Sequence, residues 1–216
     1  MSAPATPNAP PAVFGEPTPL GLLGLSIGCA ALIPIAFGWF PTDPTKFPMF
    51  FKTAAWFCLL FGAGGQFLAG LMSLANKNTL GGTLLTTFSF NWVMNWWALD
   101  EAAAGRAADP SIVLSVDVAF ILIFLVLTYA FGFFSKLLFF FLLDIDVLYV
   151  FRIAKHFAAP GSGTLNALNL GVGVSTIVLM AIALYISFAL LVNPSAGRAV
   201  FPTSGPMFKP TPPPAV

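Results

Sequence analysis

Six apolar runs of roughly twenty residues, set apart by short stretches of turn-forming residues, decide what this chain can fold into. They extend over residues 20–40, 51–74, 80–99, 112–134, 137–154 and 165–192. A run of that length crosses the hydrocarbon core of a bilayer as a helix, and lipid requires each helix to satisfy its own backbone. The connections PTDPTKFP, ANKN, DEAAAGRAADP, FSK and KHFAAPGSG all hold turn or breaker residues. The expected fold is therefore all-α, with six transmembrane helices in a compact bundle. Charged residues make up 8% of the chain, about a third of the share usual in a soluble domain.

Residues 20–192 form the expected transmembrane domain, between Pro-rich tails at 1–19 and 193–216. Such tails favour extended, loosely ordered chain. The first fifteen residues lack the basic start and apolar centre of a signal peptide. A net charge of +1 gives no electrostatic reason for a nucleic-acid partner or an acidic substrate. Six spans place both termini on one side. Lys77, Lys136, Arg198 and Lys209 fall on that side, and Lys46, Lys52, Arg106, Arg152 and Lys155 on the other. Four against five does not orient the chain under the positive-inside rule.

Polar residues inside the runs are the candidates for function. In the third run Thr79, Thr83, Thr87, Asn91 and Asn95 recur at every fourth position. They make a stripe that winds slowly around the helix, beside an aromatic stripe of Phe88, Trp92 and Trp96. The polar stripe is expected to face another helix or a cavity rather than lipid. The threonines can bond back to their own helix, but Asn91 needs a partner, and Gln66 in the second run is a candidate. The fifth run carries Asp144, Asp146 and Arg152. At about 100° per residue the two aspartates point to nearly opposite sides, so they cannot share one path. Pairing to a lysine or arginine on another helix is the first reading of these charges, and proton carriage the second. Asp117, early in the fourth run, is expected at the interface, favoured by the helix N-terminal dipole.

Small residues concentrate in the first, second and sixth runs, with Gly21, Gly24 and Gly28 in the first and Gly62, Gly64, Gly65 and Gly70 in the second. They let helix backbones approach closely, because packing drives association in lipid. Cys29 and Cys58 lie within apolar runs and read as small buried hydrophobes. HExxH, paired-cysteine and GxSxG signatures do not occur, the sole histidine is His156 in a connection, and the GSG at 161–163 has no base beside it. Neither catalysis nor a cofactor or metal is expected.

EPTPLGLLGLSIG, residues 16–28, resembles the NPxPLGLxGF-type N-terminal motif of the acetate uptake transporter (AceTr) family, which includes bacterial succinate–acetate permeases and fungal ammonia/acetate exporters. FGAGGQFLAGLMSLANKNTLGGTLLTTFSFNWV is similar to the family's second signature, and GRAVFP at 197–202 to its Gly-Arg after the last span. The likeness covers residues 16–202, with the fourth and fifth runs matching in hydropathy alone. It implies a six-helix protomer in a hexameric ring, in a bacterial inner (plasma) membrane with both termini cytoplasmic. Each protomer would carry a narrow path for acetate and similar small carboxylates, either proton-coupled or channel-like. By position, the carboxylate sites map to Pro19, Gly21 and Leu22, and to Gln66, Thr87 and Asn91. The hydrophobic constriction maps to Leu25, Phe88 and Ile145. Prolines at the start of the first helix would leave amides near Gly21 and Leu22 facing an anion.

Four features depart from the family pattern. Glu16 stands for its Asn, Ser73 for an acidic residue, Phe88 for the usual Tyr, and the fifth run has gained Asp144, Asp146 and Arg152. The leading expectation is a channel or carrier for monocarboxylates. The alternative is a structural or accessory subunit of a larger membrane complex that keeps the fold without transport, and a third class is a neutral-solute channel.

Overall fold

Proline placement and side-chain caps fix where each helix starts in the computed structural model, which describes residues 12–209. Residues 1–11 and 210–216, parts of the tails expected to be extended, lie outside the described residues. Helix α1 (Thr18–Ala36) has Pro19 in its first turn, where no intrahelical acceptor is required. The continuous helical run α2 (Pro44–Ala75) opens as a 3₁₀ turn after Asp43, whose carboxylate accepts from Thr45 N–H at 3.0 Å. The second span thus starts inside the PTDPTKFP connection, since Pro44 and Pro48 suit a first turn as well as a loop. Asn78 caps α3 (Thr79–Ala103), Asp109 caps α4 (Pro110–Phe131) and Ser135 caps α5 (Lys136–Lys155). Ser162 caps α6 (Gly163–Ala196), so the GSG run is a helix start. Such caps contribute about 1 kcal/mol each.

All the regular structure among the described residues is helical. Helices α1, α2, α4 and α6 are long and apolar enough to cross a membrane, by length and composition. The α3 and α5 helices have 25 and 20 residues, about 38 and 30 Å of length, but carry the amides and charges that lower their hydropathy. Leu60, Leu122, Val126, Tyr129 and Val150 are exposed on the outer surface. A contiguous apolar exterior of this kind is that of an integral membrane protein.

The helices pack in the spatial order α3–α2–α1–α6–α5–α4. Although consecutive in sequence, α3 and α4 have little close backbone packing and meet through rings, with Phe88 edge-on to Phe124 at 5.2 Å. Helices α1 and α2 cross at close range. A Cβ built on Gly24 would overlap the Phe61 carbonyl and lie 3.2 Å from Gly65 Cα. Between the halves of α2, residues Cys58–Ala63 form a π turn. Gly62 of that turn and Gly28 of α1 leave a slot filled by the buried indole of Trp92. Cys29 and Cys58 are free and buried nearby.

The described segments before α1 and after α6 are fastened at the same end of the bundle, the termini end. Phe14 and the Asn76 side chain exchange two hydrogen bonds of 2.9 Å. After Gly197, whose φ of +64° closes α6, the chain returns across the bundle. Asn193 Oδ1 accepts from Val200 and Phe201 N–H, and the Gly132 carbonyl accepts from Met207 and Phe208 N–H at 2.7 and 3.0 Å. The Phe208 ring packs on Tyr129, Phe133 and Phe139. Burying a phenylalanine contributes about 1.5–3 kcal/mol, so Phe208→Ala is expected to speed tryptic cleavage after Arg198 by at least about tenfold. Mass spectrometry of timed digests checks this, and an unchanged rate would show that the backbone hydrogen bonds alone hold the strap.

Candidate solute path

Two cavities enter the bundle from opposite ends. The one at the termini end has a volume of about 620 Å³ and reaches Glu16, Leu22, Gln66, Ser73 and Phe141. Its counterpart, about 920 Å³, reaches Asn91, Tyr149, Arg152, Lys155 and Asn169. A single side chain, Phe88, lines both. Around it Leu25, Ile145, Phe124 and Leu142 are almost completely buried, so the cavities are separated by a dry layer of packed hydrocarbon.

Of the nine residues assigned from the family resemblance, Leu22 and Gln66 line the termini-end cavity, and Asn91 and Ile145 line the larger one. Phe88 lines both, and Leu25 is sealed in the core beside it. Pro19, Gly21 and Thr87 line neither. Gly21 faces Leu85 and Ala69, which a Cβ there would meet at 2.9 and 3.1 Å. The amides at the start of α1 already have acceptors. Leu20 and Gly21 N–H reach the Pro17 carbonyl, while Thr18 donates its N–H, at 3.1 Å, and its hydroxyl to the Glu16 carboxylate. The acid at position 16 therefore occupies the helix end itself.

The polar stripe of α3 winds as its spacing requires. Thr79 is exposed at the mouth of the termini-end cavity, Thr83 is exposed, Thr87 is half-buried, and Asn91 is buried. The Asn91 partner is not Gln66 but Tyr149, whose hydroxyl donates to Oδ1 at 3.1 Å. The stripe turns toward α5 by the depth of Asn91, whereas Gln66 lies on the α2 face toward the other cavity. Gln66 Oε1 and Ser73 Oγ are buried and have no hydrogen-bond partner among the described residues. Seven positions apart, they share one face of α2 and both line the termini-end cavity.

The charges also resolve differently from the sequence expectation. Asp117 is buried within the protein and takes both oxygens of its carboxylate to Arg152: Nε at 3.1 Å and Nη2 at 2.8 Å. It stands two turns into α4 and Arg152 in the last turn of α5, and these antiparallel neighbours bring the two to one depth. Asp146 faces α4, accepting from the Thr128 hydroxyl at 2.7 Å. Asp144 points toward α6 beside Ser175, and its Oδ2 has no partner among the described residues. Neither aspartate lines either of these two cavities, and among the described residues neither is paired to a lysine or arginine.

Sequence reasoning missed Tyr149 and the role of Asp117. Tyr149 was within reach, for it lies four residues after Ile145 and so on the same helix face. The Asp117 pairing carried a signal too, opposite charges at matching ends of consecutive spans.

No protein-family model matches the chain, and no curated protein matches its sequence. Among solved structures, that of the bacterial acetate channel SatP superposes with a TM-score of 0.75 at 21% identity, over 88% of this chain and 99% of that one. At that identity the chain shares the fold of the acetate channel.

Proposed function

We propose that the chain is a channel or proton-linked carrier for acetate-like monocarboxylates. On this reading all six helices cross a bacterial plasma membrane, and protomers assemble as a hexameric ring with one path each. The observation that carries it is the meeting of two opposed cavities at the single side chain of Phe88, within the fold of an acetate channel. Gln66 before the neck and Asn91 beyond it are the amides that would hold a carboxylate. Pro19, Gly21, Leu22 and Thr87 shape the helices around them, and Leu25, Phe88 and Ile145 form the constriction. A bare carboxylate is strongly disfavoured in such a neck, which therefore favours the protonated acid or an anion that stays hydrogen-bonded.

Labelled-acetate uptake into proteoliposomes across a pH series, with protein-free vesicles as the baseline, tests the proposal. Passage of the protonated acid predicts protein-dependent flux that rises roughly tenfold per pH unit as pH falls toward the carboxyl pKa. Flux that follows the anion instead varies little with pH. No flux above the protein-free baseline, with co-purification in a larger membrane complex, would replace transport by the structural-subunit reading.

A further inference from the structure

We propose that Arg152 is a binding centre for small carboxylates in the larger cavity, and that Asp117 is the internal carboxylate an incoming one displaces. The nature of the ligand rests on the proposed function, while the site rests on its own geometry.

The two partners of the ion pair are unequally placed. The Asp117 side chain is 3% exposed and that of Arg152 27%, so the acid borders the cavity from a buried position while the guanidinium is the more open partner. Arg152 gives Nε and Nη2 to Asp117 and has no bond to Nη1 among the described residues. Its Cζ lies over the Tyr149 ring, 5.2 Å from the centroid, a contact that adds cation–π stabilisation. Tyr149 is itself fixed by its bond to Asn91.

Charge around the pair favours an anion. Arg152 and Lys155 face this cavity against the single acid Asp117, an excess of one positive charge. Asn95, Asn166 and Asn169 add amide donors. By contrast the termini-end cavity balances Glu16 with Lys77. Asp117 and Arg152 also line a side cavity of about 230 Å³ between α3 and α4, so the guanidinium can be approached from two directions.

A guanidinium fork matches a carboxylate in shape as well as charge. An entering carboxylate can therefore take up the same bidentate geometry that Asp117 now holds. The site leads toward the neck, because Tyr149 packs on Phe124 at 5.5 Å and Phe124 on Phe88 at 5.2 Å.

Equilibrium binding of labelled acetate to the purified full chain in nanodiscs at neutral pH tests this directly. D117N removes the competitor and is expected to tighten binding about tenfold, the scale of one charge-assisted hydrogen bond. R152Q is expected to abolish saturable binding. Because R152Q strands a buried acid, the double variant D117N/R152Q, which removes both charges, carries the same expectation with less risk to folding. The exchange D117R/R152D keeps an ion pair but moves the cation to the more buried of the two positions, and should fold without binding acetate.

Unchanged affinity in D117N, or acetate binding retained in D117N/R152Q, overturns the proposal, as does absence of binding in both wild type and D117N. Flux measured on the same preparations separates this inference from the proposed function. Arg152-dependent binding without flux leaves the site standing and removes transport, whereas flux without Arg152-dependent binding does the reverse.

Discussion

Phe88→Ala is expected to raise succinate flux through the proteoliposome-reconstituted protein by at least about tenfold, while acetate flux changes far less; tenfold corresponds to about 1.4 kcal/mol of barrier. The side chain is 4% exposed, stands edge-on to Phe124 and contacts Trp92, and is the one side chain that lines both cavities. On the proposed function, truncating it opens the layer that would exclude the longer acid. A core Phe→Ala change costs about 3–5 kcal/mol, so the purified variant must first be shown to be monodisperse. Unchanged selectivity in a folded variant would place the constriction elsewhere.

Gly24→Leu should prevent folding altogether. The obstacle at Gly24 is backbone on both counts, the Phe61 carbonyl and the Gly65 Cα, and backbone within two packed helices cannot swing aside as a side-chain tip can. Overpacking costs about 1–3 kcal/mol where neighbours relax and more where they do not. The expected result is loss of the monodisperse species in detergent, or a collapse of its melting temperature. Gly64→Ala is the matched control. Its added methyl meets only the Leu59 carbonyl, at 3.6 Å, and alanine favours helix over glycine by up to about 1 kcal/mol. Equal tolerance of both substitutions would mean that α1 and α2 do not cross this closely.

These two positions mark what could and could not be read from the residues. Helices were legible because lipid enforces long apolar runs, but Asn78, Asp109, Ser135 and Ser162 read as parts of connections, and their capping bonds emerged only with the structure. Gly24 was legible as a small residue for close packing, but its opposing surface was not, since that depends on which helices become neighbours. The Asp117–Arg152 pair was half legible: opposite charges stand at matching ends of consecutive spans, but their bidentate contact depends on α4 and α5 becoming neighbours. Glu16 was visible as a departure from the family pattern, but its hydrogen bonds to Thr18 depend on a backbone geometry that composition does not encode. Phe88 as the meeting point of two cavities came from resemblance alone, because nothing in one sequence distinguishes a neck phenylalanine from the chain's other phenylalanines.

The π turn at Cys58–Ala63 bears on how this helix can change length over evolutionary time. A turn closed by bonds five residues apart holds one residue more than its α-helical counterpart. Deleting one residue within it can restore regular helix and leave Ala54 and Gly65 facing their present neighbours. The same deletion elsewhere in α2 would rotate one half against the other by about 100°, carrying Ala54 out of the bundle or Gly65 away from Gly24. In alignments of this chain with distant homologues, a one-residue gap is therefore physically reasonable inside this membrane helix, and the place for it is Cys58–Ala63.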